Sequence, residues 1–377
     1  MEIGLNEIET LLDTLWDAFQ EKNDEWITPH IYGPAGTGKS TAVKEWSKKL
    51  AAKLGKEWVD YDTLTPRKVR EILSARDKYF VFADLRTTSI LPEDLQGLPN
   101  RNEDMAYFVP LDLAKLLSEG AGVLVLDEFS DESRPNMQAA LKKLVRERRL
   151  GGTALSPQVF IVAISNSIKH SLNAHRLPIP LKDRFVVFDV RPPTVDEWAK
   201  WMNEKYGDDW DKRTLAYLSW KPSDISADVE EEEVREDEYL PPATPRGWSY
   251  VAHMLKHVKD EKLAEALIRG KLGQAGERLI AFLKVTPLTF DEIAKKPEIL
   301  KQCTTEELVM AAFTIAENAE KKEAYNVIKY MLLNINREIV MLTIKLMSKQ
   351  NYIAFFVRAE KEPAVLARLR DLGSALI

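Results

Sequence analysis

Residues 33 to 40 read Gly33-Pro34-Ala35-Gly36-Thr37-Gly38-Lys39-Ser40, between a short apolar stretch, His30-Ile31-Tyr32, and a helical pattern that begins near Lys39. This is a complete Gly-x-x-x-x-Gly-Lys-Ser loop in the strand-before, helix-after setting that the motif requires. Three glycines let the backbone wrap an anion with successive N–H groups pointing inward, and the helix behind adds its positive N-terminal end. In that role Lys39 reaches the β and γ phosphates and Ser40 ligates Mg²⁺, with Thr41 next in the first helical turn, so Gly33 to Thr41 is the expected triphosphate cradle. No adenine-reading residue is recognisable, and the loop alone leaves the base open.

At 377 residues the chain is too long for one ordinary core,. Hydrophobic residues make up 45 % and charged residues 30 %, a globular balance that excludes fibrous and largely disordered classes,. A formal net charge of −6 gives no global field for a polyanion, leaving only a local basic patch to serve one,. Cys303 is the single cysteine, so no internal disulfide and no cysteine metal cluster can form,. The five histidines read as scattered, without metal-ligand spacing. The start, Met1-Glu2-Ile3-Gly4, lacks a basic region followed by an apolar block, and no run of about 18 uncharged apolar residues occurs,. A cytoplasmic protein without a membrane span is expected.

Outward from the loop, Ile8, Leu11, Leu12, Leu15, Trp16 and Phe19 have helical spacing, so an amphipathic helix precedes the first strand,. The helix after the loop runs to about Leu54, and Thr65-Pro66 supplies an N-cap with Pro at N1 for another, to about Ala75,. Short apolar runs at Tyr79–Ala83, Val123–Leu126, Val159–Ile164 and Phe185–Val190 alternate with helix-length segments, the pattern of a buried parallel sheet with helices on both faces,. From Pro192 strand-like runs stop. Thr194 with Glu197, and Thr304 with Glu307, form capping boxes for a mostly helical remainder,. Glu230 to Glu238 is an acidic break expected to be a solvated loop,.

Val123-Leu124-Val125-Leu126-Asp127-Glu128 is an apolar strand ending in two carboxylates. Asp127 suits a Mg²⁺ water shell, and Glu128 suits orienting the water that attacks the γ-phosphate, because phosphoryl transfer is catalysed mainly by positioning and charge neutralisation. Asn166, at the polar end of the next strand, is a candidate for fixing that water or an ordinary turn residue,. Arg184, in Leu181-Lys182-Asp183-Arg184-Phe185, and Arg246, in Thr244-Pro245-Arg246-Gly247-Trp248, are candidate guanidinium fingers or plain surface ion-pair arginines,.

Taken in order, these elements resemble the AAA+ ATPases, and within them the MoxR-like branch related to dynein and midasin modules. Asp127-Glu128-Phe129-Ser130 followed by Pro135, Gln138, Ala139, Leu141 and Arg146-Glu147-Arg148 is similar to that branch's strand-to-helix pattern. Asp94 to Pro99 with Val109-Pro110 resembles its insert, and Arg149 to Pro157 its hairpin before the first sensor. The resemblance implies an α/β P-loop NTPase fold of αβα layers with a parallel sheet (1–191), an α-helical lid (192–284) and an α-helical C-terminal extension (285–377). Residues 56–78 look like an added helix, which leaves the edge-strand order open. It further implies ATP and Mg²⁺ as cofactors, Asn166 as sensor 1, Arg184 as a finger offered to a neighbouring subunit, and Arg246 as the lid sensor.

A finger given to a neighbour requires a head-to-tail interface that closes into a ring or grows as a helix. The resemblance implies a homo-oligomeric hexameric ring that remodels a protein substrate, with a von Willebrand A domain adaptor as partner. Residues 97–109, with Tyr107 and Phe108, and the Gly151-Gly152 hairpin are the candidate substrate loops. The alternative is a nucleic-acid motor, for which Lys142, Lys143, Arg146, Arg148 and Arg149 speak. These flank a predicted buried stripe of Met137, Leu141, Leu144 and Val145, so the basic side reads first as the exposed face of an amphipathic helix,.

Overall fold

The computed structural model describes residues 2–21, 28–101, 106–167, 183–226 and 241–373. Among these, the residues up to Pro193 form one compact unit and those from Thr194 on form another.

The first unit is built on a seven-stranded sheet in which every pairing is parallel. Its strands are β1 (Glu2–Ile3), β2 (Thr28–Gly33), β3 (Glu57–Asp60), β4 (Tyr79–Arg86), β7 (Ala121–Asp127), β10 (Val159–Asn166) and β11 (Phe185–Val190), in the order β1-β11-β2-β10-β7-β4-β3. Two antiparallel hairpins stand outside it, β5 (Leu98–Arg101) with β6 (Ala106–Val109) and β8 (Arg149–Leu150) with β9 (Thr153–Ala154).

Because successive side chains of a strand face opposite sides, a strand buried on both faces reads as an unbroken apolar run. In β7, Val123 and Val125 join one core with Ile8, Leu12, Trp16 and Phe19 of α1 (Ile8–Glu21) and Val43, Trp46 and Leu50 of α2 (Lys39–Lys53). Leu124 and Leu126 join the opposite core with α3 (Pro66–Ser74), α5 (Asp112–Glu119) and α6 (Pro135–Glu147). The expected four apolar runs, the preceding helix and the Thr65 cap, whose Oγ1 accepts from the Lys68 amide, are all present. Residues 56–78 add a strand as well as a helix: β3 pairs in parallel with β4 and forms the sheet's edge.

The hairpins meet the helices closely. Gly151 has φ +58°, and a Cβ there would lie 2.1 Å from the Gln96 carbonyl oxygen, so only glycine lets the β8–β9 turn lie against α4 (Pro92–Gln96),. On α6, Met137, Leu141, Leu144 and Val145 are buried and Lys142, Lys143 and Arg146 are exposed, as the stripe predicts, and Arg149, which opens β8, is exposed too. Arg148 departs from that expectation. It takes a left-handed conformation (φ 51°) at the helix end, which turns its side chain inward over the Phe19 ring, donating to the Ser156 and Val159 carbonyls.

The second unit is helical throughout its described residues. The capping boxes at Thr194–Glu197 and Thr304–Glu307 are formed, and Thr289–Glu292 is a third. The helices before and after the expected 284/285 boundary share one buried cluster, from Trp198, Tyr217, Trp248 and Phe282 to Val309, Ile315, Val327 and Leu369. Gly273 (φ 52°, ψ −127°) breaks the Glu261–Leu283 helix in its middle. The histidines are not all scattered: His253 and His257 stand one turn apart on the Pro245–His257 helix, a spacing that puts both rings on one face,. Among the described residues no helix is long and apolar enough to cross a membrane. The acidic run Glu230 to Glu238 lies outside the described residues.

Candidate nucleotide-binding and hydrolysis site

The carboxyl ends of β2, β10 and β7 lie side by side, and the sequence places a polar group at each. Asn166 stands opposite Gly33 in the β10–β2 ladder, and Ala163 stands opposite Leu126 in the β10–β7 ladder. That register brings the phosphate-loop motif, the Asp127-Glu128 pair and Asn166 to one edge.

The loop leaves β2 at Gly33, where a Cβ would come 2.2 Å from the Val190 carbonyl oxygen of β11. Gly36 (φ 72°) and Gly38 (φ 99°) supply the left-handed turns that curl the loop into a cradle,. Thr37 Oγ1 donates to the Pro34 carbonyl (3.0 Å), closing the turn. The buried Lys39 ammonium lies within the concavity and donates to the Gly33 (2.9 Å) and Pro34 (2.7 Å) carbonyls. A triphosphate in the loop offers the same ammonium stronger, charged acceptors.

Ser40 Oγ donates to Asp127 Oδ2 at 2.9 Å, and Asp127 Oδ1 accepts from the Glu128 amide at 2.8 Å. A hydroxyl that donates to a carboxylate keeps its lone pairs free, so the pair fits a Mg²⁺ held by the Ser40 oxygen with Asp127 gripping its water shell. Glu128 has φ 56°, one of two left-handed non-glycine residues among those described. Its carbonyl accepts from Thr87 Oγ1 (3.0 Å), its carboxylate accepts from Thr88 Oγ1, and the Thr87 amide donates to the Asp127 carbonyl (3.0 Å). Thr87 and Thr88 follow β4, and sequence reading missed both because they are about forty residues away from the acid they hold. Arg134 was missed likewise; it donates to Glu132 and to the Thr87 carbonyl (2.8 Å), tying the same turn to the start of α6.

Asn166 is half-buried, and its side chain hydrogen-bonds Asp131, whose carboxyl is raised chiefly by burial. The Ser167 amide donates to the Gly33 carbonyl (3.0 Å). Asp84, on β4, is pushed up to about 6 by burial and then by the charge of Asp127. Behind the site, Ser165 Oγ accepts from the Ser130 amide (3.0 Å) and pairs with the buried His30 ring (2.8 Å).

Arg184 is not brought to this edge. It is exposed in the turn before β11, whose first residue, Phe185, pairs with Thr28 at the start of β2. Gly33 is five residue steps along β2 from Thr28, so Arg184 lies roughly 17 Å along the sheet from its own phosphate loop,. Leu181 and Lys182 fall outside the described residues. Arg246 is exposed at the second position of the Pro245–His257 helix in the second unit, where Thr244 Oγ1 caps the Gly247 amide (3.0 Å).

No family model matches the chain and no curated protein is similar to it. Solved structures similar to it include the ORC1 protein of Aeropyrum pernix in complex with DNA, at 15 % identity and TM-score 0.37, covering 97 % of this chain and 94 % of that one. Cdc6p of Pyrobaculum aerophilum matches at 14 % identity and TM-score 0.38 over 98 % of this chain and 85 % of that one. A RuvB variant of Thermotoga maritima matches at 14 % and 0.36 over 82 % and 89 %. Likeness at these scores carries no argument about activity. The fold is fixed by the sheet itself: an α/β P-loop unit with a parallel seven-stranded sheet, followed in the chain by a helical unit.

Burial pushes the His30 imidazole down from 6.5 to about 4. Above about pH 6.5 folded and unfolded chains are both neutral at this residue. Between about pH 6.5 and 4 the unfolded chain takes a proton that the folded one refuses, so stability is lost as pH falls, by on the order of 2 kcal/mol at pH 5. Hydrogen exchange of the β2 and β10 amides at pH 7 and 5 should show that loss shrinking by this amount in His30→Gln. An unchanged loss would mean that His30 titrates normally in the folded chain.

Proposed function

We propose that this chain is an ATP-hydrolysing AAA+ ring ATPase of the MoxR type, cytoplasmic, that remodels or assembles protein complexes. The observation that carries the reading is the meeting of the phosphate loop, Asp127, Glu128 and Asn166 on one sheet edge, with Ser40 bonded to Asp127 at 2.9 Å. Lys39 and the loop amides hold the β and γ phosphates, and Glu128 and Asn166 place and polarise the attacking water. Mg²⁺, when bound, supplies charge neutralisation between the phosphates. Thr88, bonded to the Glu128 carboxylate, holds that group until substrate geometry draws it away.

Arg184 serves the next subunit. Its place at the opposite edge of the sheet supports a head-to-tail contact, which closes as a hexameric ring. Arg246 is the same chain's sensor on the resemblance alone. Leu98, Tyr107 and Phe108 are exposed on the β5–β6 hairpin, which supports this hairpin and the Gly151 turn as the loops that engage a protein substrate, with a von Willebrand A domain protein as adaptor. A second reading, a nucleic-acid motor, rests on the exposed Lys142, Lys143, Arg146 and Arg149.

Glu128→Gln should bind ATP normally and hydrolyse it at least about a hundredfold more slowly, measured by phosphate release; unimpaired turnover would remove Glu128 from catalysis. Arg184→Ala should lose about 10³-fold or more in turnover while keeping nucleotide affinity. Mixing it with Lys39→Ala, which keeps Arg184 but lacks a working cradle, should restore turnover, and mixed rings that remain inactive would show the finger to be misplaced. Single-stranded DNA should bind negligibly at 50 mM and 200 mM salt alike. Tight binding that weakens steeply with salt, as several phosphate contacts require, would favour the motor.

A further inference from the structure

The pair His253 and His257 is completed by an acid from a different part of the second unit. Asp209 lies in the loop between the Val195–Tyr206 and Arg213–Trp220 helices, 44 residues before the first histidine. His257 Nε2 is 3.1 Å from Asp209 Oδ1 and 3.2 Å from Oδ2, and His253 Nδ1 is 3.7 Å from Oδ2. One ligand atom from each of the three residues falls within 4.8 Å of the others. Tetrahedral coordination at about 2.0 to 2.1 Å puts neighbouring ligand atoms about 3.3 to 3.5 Å apart. The His257-to-carboxylate separations lie just below that spacing.

The three side chains are held rather than merely near. Trp210, next to Asp209, is fully buried, with its ring edge-on to Trp198 at 5.4 Å and Nε1 donating to the Gly207 carbonyl (3.1 Å). The Asp211 amide donates to the Ala252 carbonyl (2.8 Å), pinning the loop to the histidine-bearing helix. The His253 ring stacks on Tyr206 at 4.6 Å and shares a hydrogen bond with the Asp209 carbonyl oxygen (2.8 Å). An imidazole that donates one N–H to a backbone carbonyl has its tautomer fixed and the other nitrogen left as a ligand, the usual support of metal-bound histidine. His257 ends its helix, where the macrodipole favours a cation,.

Lys256 lies between the histidines in sequence, and Lys212, over the Trp210 ring, donates to Asn203 Oδ1 rather than to Asp209. We propose that Asp209, His253 and His257 bind one first-row transition-metal dication of the zinc class per chain. The ion clips the 207–212 loop to the end of the Pro245–His257 helix, with its remaining position open to solvent. Two imidazoles and one carboxylate suit Zn²⁺ and exclude Mg²⁺, whose preference is all-oxygen.

The test uses the full chain, stripped with a chelator and free of nucleotide, titrated with Zn²⁺ alone against a chromogenic competitor. One equivalent per chain and a raised thermal midpoint are expected, with Mg²⁺ giving neither. His253→Gln, His257→Gln and Asp209→Asn should each weaken Zn²⁺ binding at least about tenfold and abolish the midpoint rise. His257 and Asp209 are exposed, so their variants keep the fold, which circular dichroism checks. Equal affinity in the wild type and the His253→Gln/His257→Gln variant would place the ion elsewhere and overturn the proposal, as would no Zn²⁺ bound at equimolar protein. Neither result bears on the nucleotide site.

Discussion

The hydrogen bond from Ser40 to Asp127 spans two strand positions, because β10 lies between β2, which delivers the loop, and β7, which delivers the acid. It forms only if both ladders of β10 are in register, since a shift of one residue in a strand turns its side chains to the other face. Asn166 opposite Gly33 and Ala163 opposite Leu126 are therefore constraints on chemistry as much as on folding. The alternating Val123, Leu124, Val125 and Leu126, each buried against a different helical layer, enforce that register with several apolar side chains. A single hydroxyl–carboxylate contact is worth only about 1.5 to 3 kcal/mol, too little to align three strands by itself. The cores align the strands, and the contact reports that they are aligned.

Glu128 shows what that alignment is used for. A non-glycine residue in the left-handed region costs about 1 to 3 kcal/mol and persists where its surroundings over-determine it. Here Thr87 bonds both Asp127 and Glu128 main-chain oxygens, the Phe129 amide donates to the Ile164 carbonyl (3.0 Å), and the Asp131 amide returns to the Glu128 carbonyl (3.0 Å). The left-handed turn sets the Glu128 carboxylate against Thr88 instead of letting β7 run on. Arg134, bridging Glu132 and the Thr87 carbonyl, braces the turn from the far side.

What was legible in the sequence was contiguous. The loop, the Asp127-Glu128 strand and the four apolar runs each carry their signal within eight residues, and each is found where that signal puts it. Strand β3 was hidden because Glu57-Trp58-Val59-Asp60 lies at a charged sheet edge with one fully buried side chain, Val59. Thr87, Thr88 and Arg134 were hidden because their partners are distant in sequence and polar residues after a strand look like any turn. Arg148 was misread because helical spacing assigns it to the polar face, whereas the left-handed helix end reverses its direction. Asp209 could not be tied to His253 and His257 without the loop geometry that Trp210 fixes, although their own spacing was readable.

The two arginines differ in what surrounds them. Arg246 sits in the first turn of a helix, where the macrodipole disfavours a cation by about 0.3 to 1 kcal/mol; no salt bridge offsets this among the described residues,. Arg184 stands at the amino end of β11, a strand length from the edge where the phosphates would sit, so rotating its side chain, roughly 7 Å long, cannot bring it there,. Within the described part of the first unit, the register sets Arg86 opposite Asp127, whereas Arg184 stands at the other end of the strands from the loop, Asp127, Glu128 and Asn166.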